Sequence, residues 1–484
     1  MQTIIITDDY DTWEFLTEFA PIVSSSAYLS GDEYSQSKSF RVINLCESYE
    51  YQSIGYYVSL LAQARDHKAF PSVHAIQDIS NLGLSKLISQ DIHDEIQHSL
   101  HDIKTDKFVL SVYFGQNMAK RYAALCKQLH SLFPLPLIRF TLEMKKEWSI
   151  KSMMPVSIKD MLPHHVEFMH LAAKEYLSKK RVHQFRKKQR FHDLAILVDP
   201  LEANAPSNKK ALDFFVSSGE EMGLNIDIIG KNEGKSIAEY DALFIRATTS
   251  VNHYTYRLAR RAAQENLVVI DDPQSIIKCT NKVYLAELLH THQILTPPTV
   301  FFNKYDKKLP EIEFPCVLKK PDSAFSLGVV KIEDKNALQS SLYDFFKSSD
   351  LVLAQPFIPT EFDWRIGILD NKPLFACRYF MAEDHWQIYD WQNDKEKNEG
   401  KCETLPISDV PEAVIKTALK TSKLIGDGLY GVDIKSHGDM HYVIEINDNP
   451  NIDHGIEDRI LGDNLYQQIM GLFLQRIRRK HGYV

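Results

Sequence analysis

Across the middle of this chain, short β-branched runs alternate with amphipathic stretches of helical length, and that alternation restricts the fold more than any other feature. From Asp193 the order is "DLAILVDP", "NKKALDFFVSSGEEMG", "LNIDIIG", "YDALFIRATT", "YTYRLARRAAQEN" and "LVVIDDP". Parallel strands need a crossover of about a dozen residues, usually a helix, so the spacing predicts a parallel α/β unit. The preceding segment has the same rhythm ("TIIIT", "RVINLC", "IGYYVSLLAQAR", "KFVLSVYFG", "QNMAKRYAALCKQLHSLF") and predicts a second α/β layer. Next, "PLPLIRFTLEMKKEWSIKSMMP" predicts two strands. "SIKDMLPHHVEFMHLAAKEYLSKKR" predicts a helix opened by Ser157, with Asp160 in the acid-favoured first turn. From "ILTPPTVFF" onward, paired strands take over, with helical inserts at 336–347 and 411–424. Nothing reads as an internal repeat or a low-complexity tract.

A chain of 484 residues exceeds what one core usually serves. The expected class is α/β and α+β multidomain, with an N-terminal α/β domain over 1–190, an α/β unit over 191–280 and an α+β region of two subdomains over 281–484. The most basic run, "KKRVHQFRKKQRFHD" (Lys179 to Asp193), reads as the first boundary, with sparse aromatic interleaving for a nucleic-acid site. The net charge of −8 gives no global attraction to nucleic acid. No uncharged apolar run has membrane-spanning length, and the start lacks a basic flank and a cleavage site. The six cysteines have neither CxxC nor zinc spacing. The expectation is a cytoplasmic protein with reduced thiols, no membrane and no nucleic-acid partner, with homo-oligomerisation left open.

The chemistry concentrates in "GVDIKSHGDMHYVIEINDNPNIDHG" (Gly431 to Gly455). In "YVIEIN" a period of two puts Val443, Glu445 and Asn447 on one face and Tyr442, Ile444 and Ile446 on the other. An odd-length loop around Gly438 would add Asp433 to the first face. Buried carboxylates need a neutralising cation, and an all-oxygen set suits Mg²⁺, which usually takes one or two carboxylates together with substrate phosphates. A solvated hairpin face is the bland alternative. Upstream, Lys282 opens a helix, where dipole and ammonium both favour an anion. Lys319 precedes a hydroxyl-rich turn with Ser323 and Ser326, where backbone N–H groups and a lysine can hold phosphates. Arg365 and Arg378 lie on neighbouring strands. Arg246 and Thr248 end a strand of the middle unit, the place where open α/β sheets bind ligands, and an arginine there suits a carboxylate substrate. His454, after the metal segment, is a candidate substrate contact.

In this order, from about Asp193 to the end, the motifs resemble the ATP-grasp superfamily and, within it, RimK-type ligases, which append glutamate to a carboxyl terminus. The carrying segments are "DDPQSIIKCTNKVYLAELL", "CVLKKPDSAFSLGVV", "LVLAQPFIP", "DWRIGILDNKPLFACRYF" and "GLYGVDIKSHGDMHYVIEINDNP". Met1 to about Lys188 looks like the extra RLAN-type domain that precedes the core in some RimK-like proteins, so 191–280 becomes the pre-ATP-grasp unit. The resemblance implies that Lys282 and Lys319 hold nucleotide phosphates, with Ser323, Ser326 and Asp363 nearby. It implies that Gln355, Pro356, Phe357 and Ile358 form the adenine hinge. Asp433, Glu445 and Asn447 would hold two Mg²⁺ ions, or Mn²⁺, on ATP, and Arg365 and Arg378 would serve the transferred phosphoryl group. Two departures stand out: "PDSAFSLG" keeps only Gly328 of a glycine-rich turn, and "DNPNIDHGIED" replaces the family's small-residue segment. The implied reaction joins a small-molecule or peptide carboxylate to an amine. The alternatives are a catalytically lapsed nucleotide-binding adaptor working through its N-terminal domain, and a phosphotransferase on the same fold.

Overall fold

The computed structural model describes residues 2–31, 34, 40–80, 92–185, 192–231, 237–306, 308–322, 328–382, 385–388 and 400–480, with backbone alone over 179–185. The basic run at 179–191, the turn residues Ser323 and Ser326, and most of "PDSAFSLG" therefore lie outside the described side chains.

The N-terminal part holds a parallel sheet of β1 (Gln2–Thr7), β2 (Ile22–Ser24), β3 (Phe40–Asn44) and β4 (Lys68–Phe70), in the order β2-β1-β3-β4. An antiparallel sheet of β5 (Lys107–Tyr113), β6 (Leu137–Met144) and β7 (Trp148–Pro155) accompanies it. The middle unit is a second parallel sheet of β8 (His192–Val198), β9 (Leu224–Ile229), β10 (Ala242–Arg246) and β11 (Val268–Ile270). Its order, β9-β8-β10-β11, repeats that of the first sheet.

The likeness extends to the backbone, residue by residue at a constant spacing. Helix Ile54–Ala64 answers helix Tyr254–Gln264, and helix Val73–Ser80 answers Pro273–Thr280. Asp66 (φ 57) answers Asn266 (φ 61), both residue types that tolerate the left-handed conformation after a helix. Cis peptides occur at Phe70–Pro71 and Ile270–Asp271. The chain therefore contains an internal repeat that its sequence hides. Identical residues across the two helical runs include the buried pairs Ala62/Ala262 and Ile76/Ile276.

One helix differs from expectation. Ser157 caps only a 3₁₀ turn (Ile158–Asp160), accepting from the Lys159 N–H, and the long helix starts at Pro163. Proline pushes the residue before it out of the α region but suits the first helical position, so the chain cannot run helically from Ser157.

Beyond the middle unit lie two antiparallel sheets. The first joins β12 (Val300–Asn303), β13 (Cys316–Lys319), β14 (Val329–Ile332) and β15 (Leu351–Pro356). The second runs β18-β17-β16-β19-β20, from β16 (Phe362–Leu369), β17 (Lys372–Phe380), β18 (Cys402–Leu405), β19 (Leu429–His437) and β20 (Met440–Asn447). One face of this second sheet buries Trp364, Ile366, Ile434 and Val443 against helix Glu412–Ile425. Its other face carries Phe375, Cys377 and Tyr379 into the core of the middle unit. The final helix, Asp463–Lys480, turns back to that core, setting Tyr466 and Phe473 against Phe215 and Phe244. Middle unit and second sheet are thus locked together, with a cleft between them.

Candidate functional site

A cavity of about 390 Å³ opens where the two antiparallel sheets meet the C-terminal end of β10. One of its walls is the β19–β20 hairpin. His437 pairs with Met440, so the turn is the two-residue Gly438–Asp439, with Gly438 at φ 59, and not the odd-length loop expected. A one-residue bulge then shifts the register: Ile434 pairs with Val443 but Asp433 pairs with Glu445, leaving Ile444 extra. The bulge does what the odd loop was expected to do. It also corrects the expected alternation, because Val443 and Ile446 both face the core and Ile444 lines the cavity with Glu445 and Asn447.

Asp433 does not stand with an open carboxylate. Directly opposite it on β16, Arg365 donates from Nε to Oδ1 and from Nη2 to Oδ2, both at 2.7 Å. Burial pushes the Asp433 carboxyl up to about 6, and the guanidinium works against that shift. Burial acts on Glu445 in the same sense. There Lys282, Lys319 and Arg365 together outweigh it and hold the carboxyl below its ordinary value. The Asn447 amide donates to Asp433 at 3.2 Å and reaches Glu445 at 3.5 Å. Two carboxylates and one amide thus share a cavity face.

Lys319 projects into the same cavity and donates to Gln355 Oε1 at 2.8 Å, while Gln355 Nε2 donates to Thr299. Burial lowers the Lys319 ammonium to about 8. Lys282 lines the cavity at the start of helix Lys282–Thr291, whose N-cap is Asn281. Pro356, Phe357 and Ile358 border an apolar end shared with Val317, Met381 and Trp386. Asp363 borders it too, ion-paired to Lys435 at 2.6 Å. Sequence reasoning missed Lys435, although it is two residues from Asp433 on one strand and so shares its face. Trp386 sits in a stretch without periodic pattern and carried no signal.

Three expected residues stand elsewhere. Arg378 is outside the cavity lining, sandwiched over Phe362 and Trp364 (4.9 and 4.8 Å) and pairing with Glu403 at 3.5 Å. It is one strand position from the residue opposite Arg365, Cys377, and alternation sends it to the other face. Arg246 is 1% exposed and commits its donors to Ser207 (3.0 Å), Asn449, Pro206 and Pro450 (2.9 Å). It clamps the loop after β20 to the middle unit and does not line the cavity. His454 packs on Phe214 and bonds Asp458 at 2.7 Å, also away from the cavity. Thr248 does line it, with its N–H and hydroxyl donated to Glu202. Among the described residues, no group of three or more His, Cys, Asp or Glu side chains could hold a metal, and no helix is long and apolar enough to cross a membrane.

Residues 279–472 match the family model described as a RimK-like ATP-grasp domain, and 25–172 match the RimK-like ATPgrasp N-terminal domain. The chain carries a RimK-like ATP-grasp domain behind an RLAN domain. Among curated relatives, the alpha-aminoadipate–LysW ligase LysX of Sulfolobus acidocaldarius is 29% identical over 46% of this chain and 79% of its own length. A probable alpha-L-glutamate ligase of Shewanella loihica is 25% identical over 54% of this chain and 89% of its own. Among solved structures, the D-alanine–D-alanine ligase of Bacillus anthracis, 17% identical, aligns with 60% of this chain and 98% of that one, at a TM-score of 0.46. The RimK-like match includes the whole hairpin wall and both lysines, Lys282 and Lys319.

Proposed function

We propose that this protein is an ATP-dependent carboxylate–amine ligase working in the cavity between the two antiparallel sheets. The observation that carries the reading is the division of that cavity. Lys282, Lys319, Lys435 and Arg365 converge beside Glu445, Asp433 and Asn447, next to an apolar slot at Phe357 and Trp386. A flat base suits the slot, and a polyphosphate suits the lysines. The oxygen set fits a hard divalent ion: Glu445 is held ionised, Asn447 offers an amide oxygen, and Asp433 Oδ1 keeps a lone pair beyond its bond to Arg365. Glu445, Asn447 and Asp433 would hold Mg²⁺, one ion or two, and when bound it neutralises charge between ATP and the attacking carboxylate.

In the proposed reaction the substrate carboxylate attacks the γ-phosphorus, the bond to ADP breaks, and an acyl phosphate forms. An amine then attacks the acyl carbon, losing a proton and expelling phosphate to leave an amide. This chain's residues act by position and charge. Lys319 and Lys282 draw the phosphates in, and Arg365, fixed by Asp433, faces the transferred group. No protein nucleophile is required. The named relatives, ligases for α-aminoadipate and glutamate, support an amino acid or a peptide end as substrate.

Supplying ATP, Mg²⁺ and pairs of amino acids or peptides, with phosphate and product mass as readouts, tests the reading. Phosphate release coupled to a product one water lighter than its parts is expected. Phosphorylated acid without amide marks a phosphotransferase, and no turnover with any pair favours the lapsed adaptor.

A further inference from the structure

The cavity is also bordered by the chain just after β10 and the loop after β20: Thr248, Thr249, Ser250, Asp448, Asn449 and Asn451. Asp448 is 4% exposed. Its carboxyl is supported by the Thr249 hydroxyl and by its own backbone N–H, but Oδ2 has no hydrogen-bond partner. Behind it, Asp271 is 1% exposed with both carboxylate oxygens unpartnered, and near enough to feel the charge of Asp448. The obvious neutraliser, Arg246, has its donors on Ser207, Asn449 and two carbonyls, and donates to neither carboxylate. Asp272 is engaged as the cap of helix Pro273–Thr280. Buried carboxylates without partners are costly, and a native fold retains them where a ligand completes them.

Two carboxyl groups beside the Thr249 and Ser250 hydroxyls form a set of acceptors that suits a nitrogen cation with several N–H donors. We infer that Asp448, backed by Asp271 and flanked by the Thr249 and Ser250 hydroxyls, forms the subsite that receives the ammonium group of an amino-acid substrate. The inference rests on the ligase reading and deepens it. The cavity then offers cations for the nucleotide phosphates and carboxylates for the substrate amine. Once the Asp448 carboxylate has taken a proton from the ammonium, the freed nitrogen lone pair attacks the acyl carbon.

The test uses the full chain loaded with MgADP. Calorimetry first measures MgADP itself. Each of the twenty amino acids is then titrated, and every binder is compared with its desamino counterpart, for example L-glutamate with glutarate. At least one amino acid is expected to bind, its desamino counterpart to bind weaker by about ten-fold or more, and Asp448→Asn to erase that difference. Asp271→Asn is expected to shrink it. MgADP affinity of each variant reports whether it is folded. No binding of MgADP by the natural protein overturns the ligase reading. Binding of MgADP with no amino acid bound, equal affinity for amino and desamino forms, or a difference that survives in a folded Asp448→Asn protein overturns the subsite alone.

Discussion

At the scale of single residues, the site holds charges that tolerate burial only through one another. Lys319 is the clearest case, because burial lowers its ammonium to about 8 and its direct partner is the neutral amide of Gln355. Nucleotide phosphates would favour the charged form, so binding raises the lysine pKa. Below pH 8 the lysine is already protonated and affinity is at its plateau. As pH rises through about 8, binding must take up a proton, and affinity falls. Calorimetric titration of MgADP from pH 7 to 9.5 should show this decline, and Lys319→Ala should lower affinity about ten-fold at pH 7 and flatten it. Asp433 and Glu445 should separate in a second measurement. Arg365 loses its partner in Asp433→Ala, and an unpaired buried charge costs about 3–5 kcal/mol, visible as a lower urea midpoint. Glu445→Gln keeps the volume and removes only charge. It should stay near the natural midpoint while ligation falls roughly 100-fold or more.

At the scale of elements, legibility depended on whether a side chain's place follows from local period or from distant backbone. Lys319, Gln355 and Glu445 were readable because motif order and strand position are local, and they do meet in one cavity. Arg365 was readable for the same reason. Arg378 was not, since its fate depends on the register between β16 and β17. The bulge at Ile444 was illegible too: a turn one residue longer predicts the same pairing of Asp433 with Glu445, and only the observed register distinguishes the two routes. Arg246 shows the limit most sharply. A strand-end arginine suggests a substrate anchor, yet the loop that occupies it comes from Asn449 and Pro450, some two hundred residues away. Its role as a clamp makes an opposite prediction. Arg246→Met should strip partners from Pro206 and Pro450 and lower stability by about 2–4 kcal/mol. A substrate anchor would instead raise KM with the urea midpoint unchanged, so the two measurements on one variant decide.

At the scale of the whole molecule, the repeated parallel sheets meet through a charged seam. Lys68 of β4 pairs with Asp241 at 2.9 Å and donates to the Glu239 carbonyl at 3.0 Å. Arg41 reaches Asp193 at 3.4 Å, Tyr176 donates to Glu239 at 3.0 Å, and Ser72 donates to Glu265 at 2.9 Å. These contacts lie at the starts of β8 and β10 and at the C-terminal end of helix Tyr254–Gln264, whereas Thr248 and Thr249 line the cavity just beyond the other end of β10. The N-terminal unit therefore braces the strand whose opposite end borders the substrate side. Asp241, its side chain only 3% exposed, is compensated by Lys68 together with Arg41 and His192, so Lys68→Met should cost about 1–3 kcal/mol. Lys159, paired with Glu47 at the surface, supplies the contrast: Lys159→Met should leave the urea midpoint unchanged. Because the seam joins two units, the form of the loss matters as much as its size. If it couples them, Lys68→Met should split a single calorimetric transition into two, the earlier belonging to the N-terminal unit. The double variant Lys68→Met/Asp241→Leu should recover part of the loss, since removing both charges leaves neither buried alone. A single transition that moves without splitting would instead make the pair part of one shared core, and the brace on β10 would then be no more than contiguity.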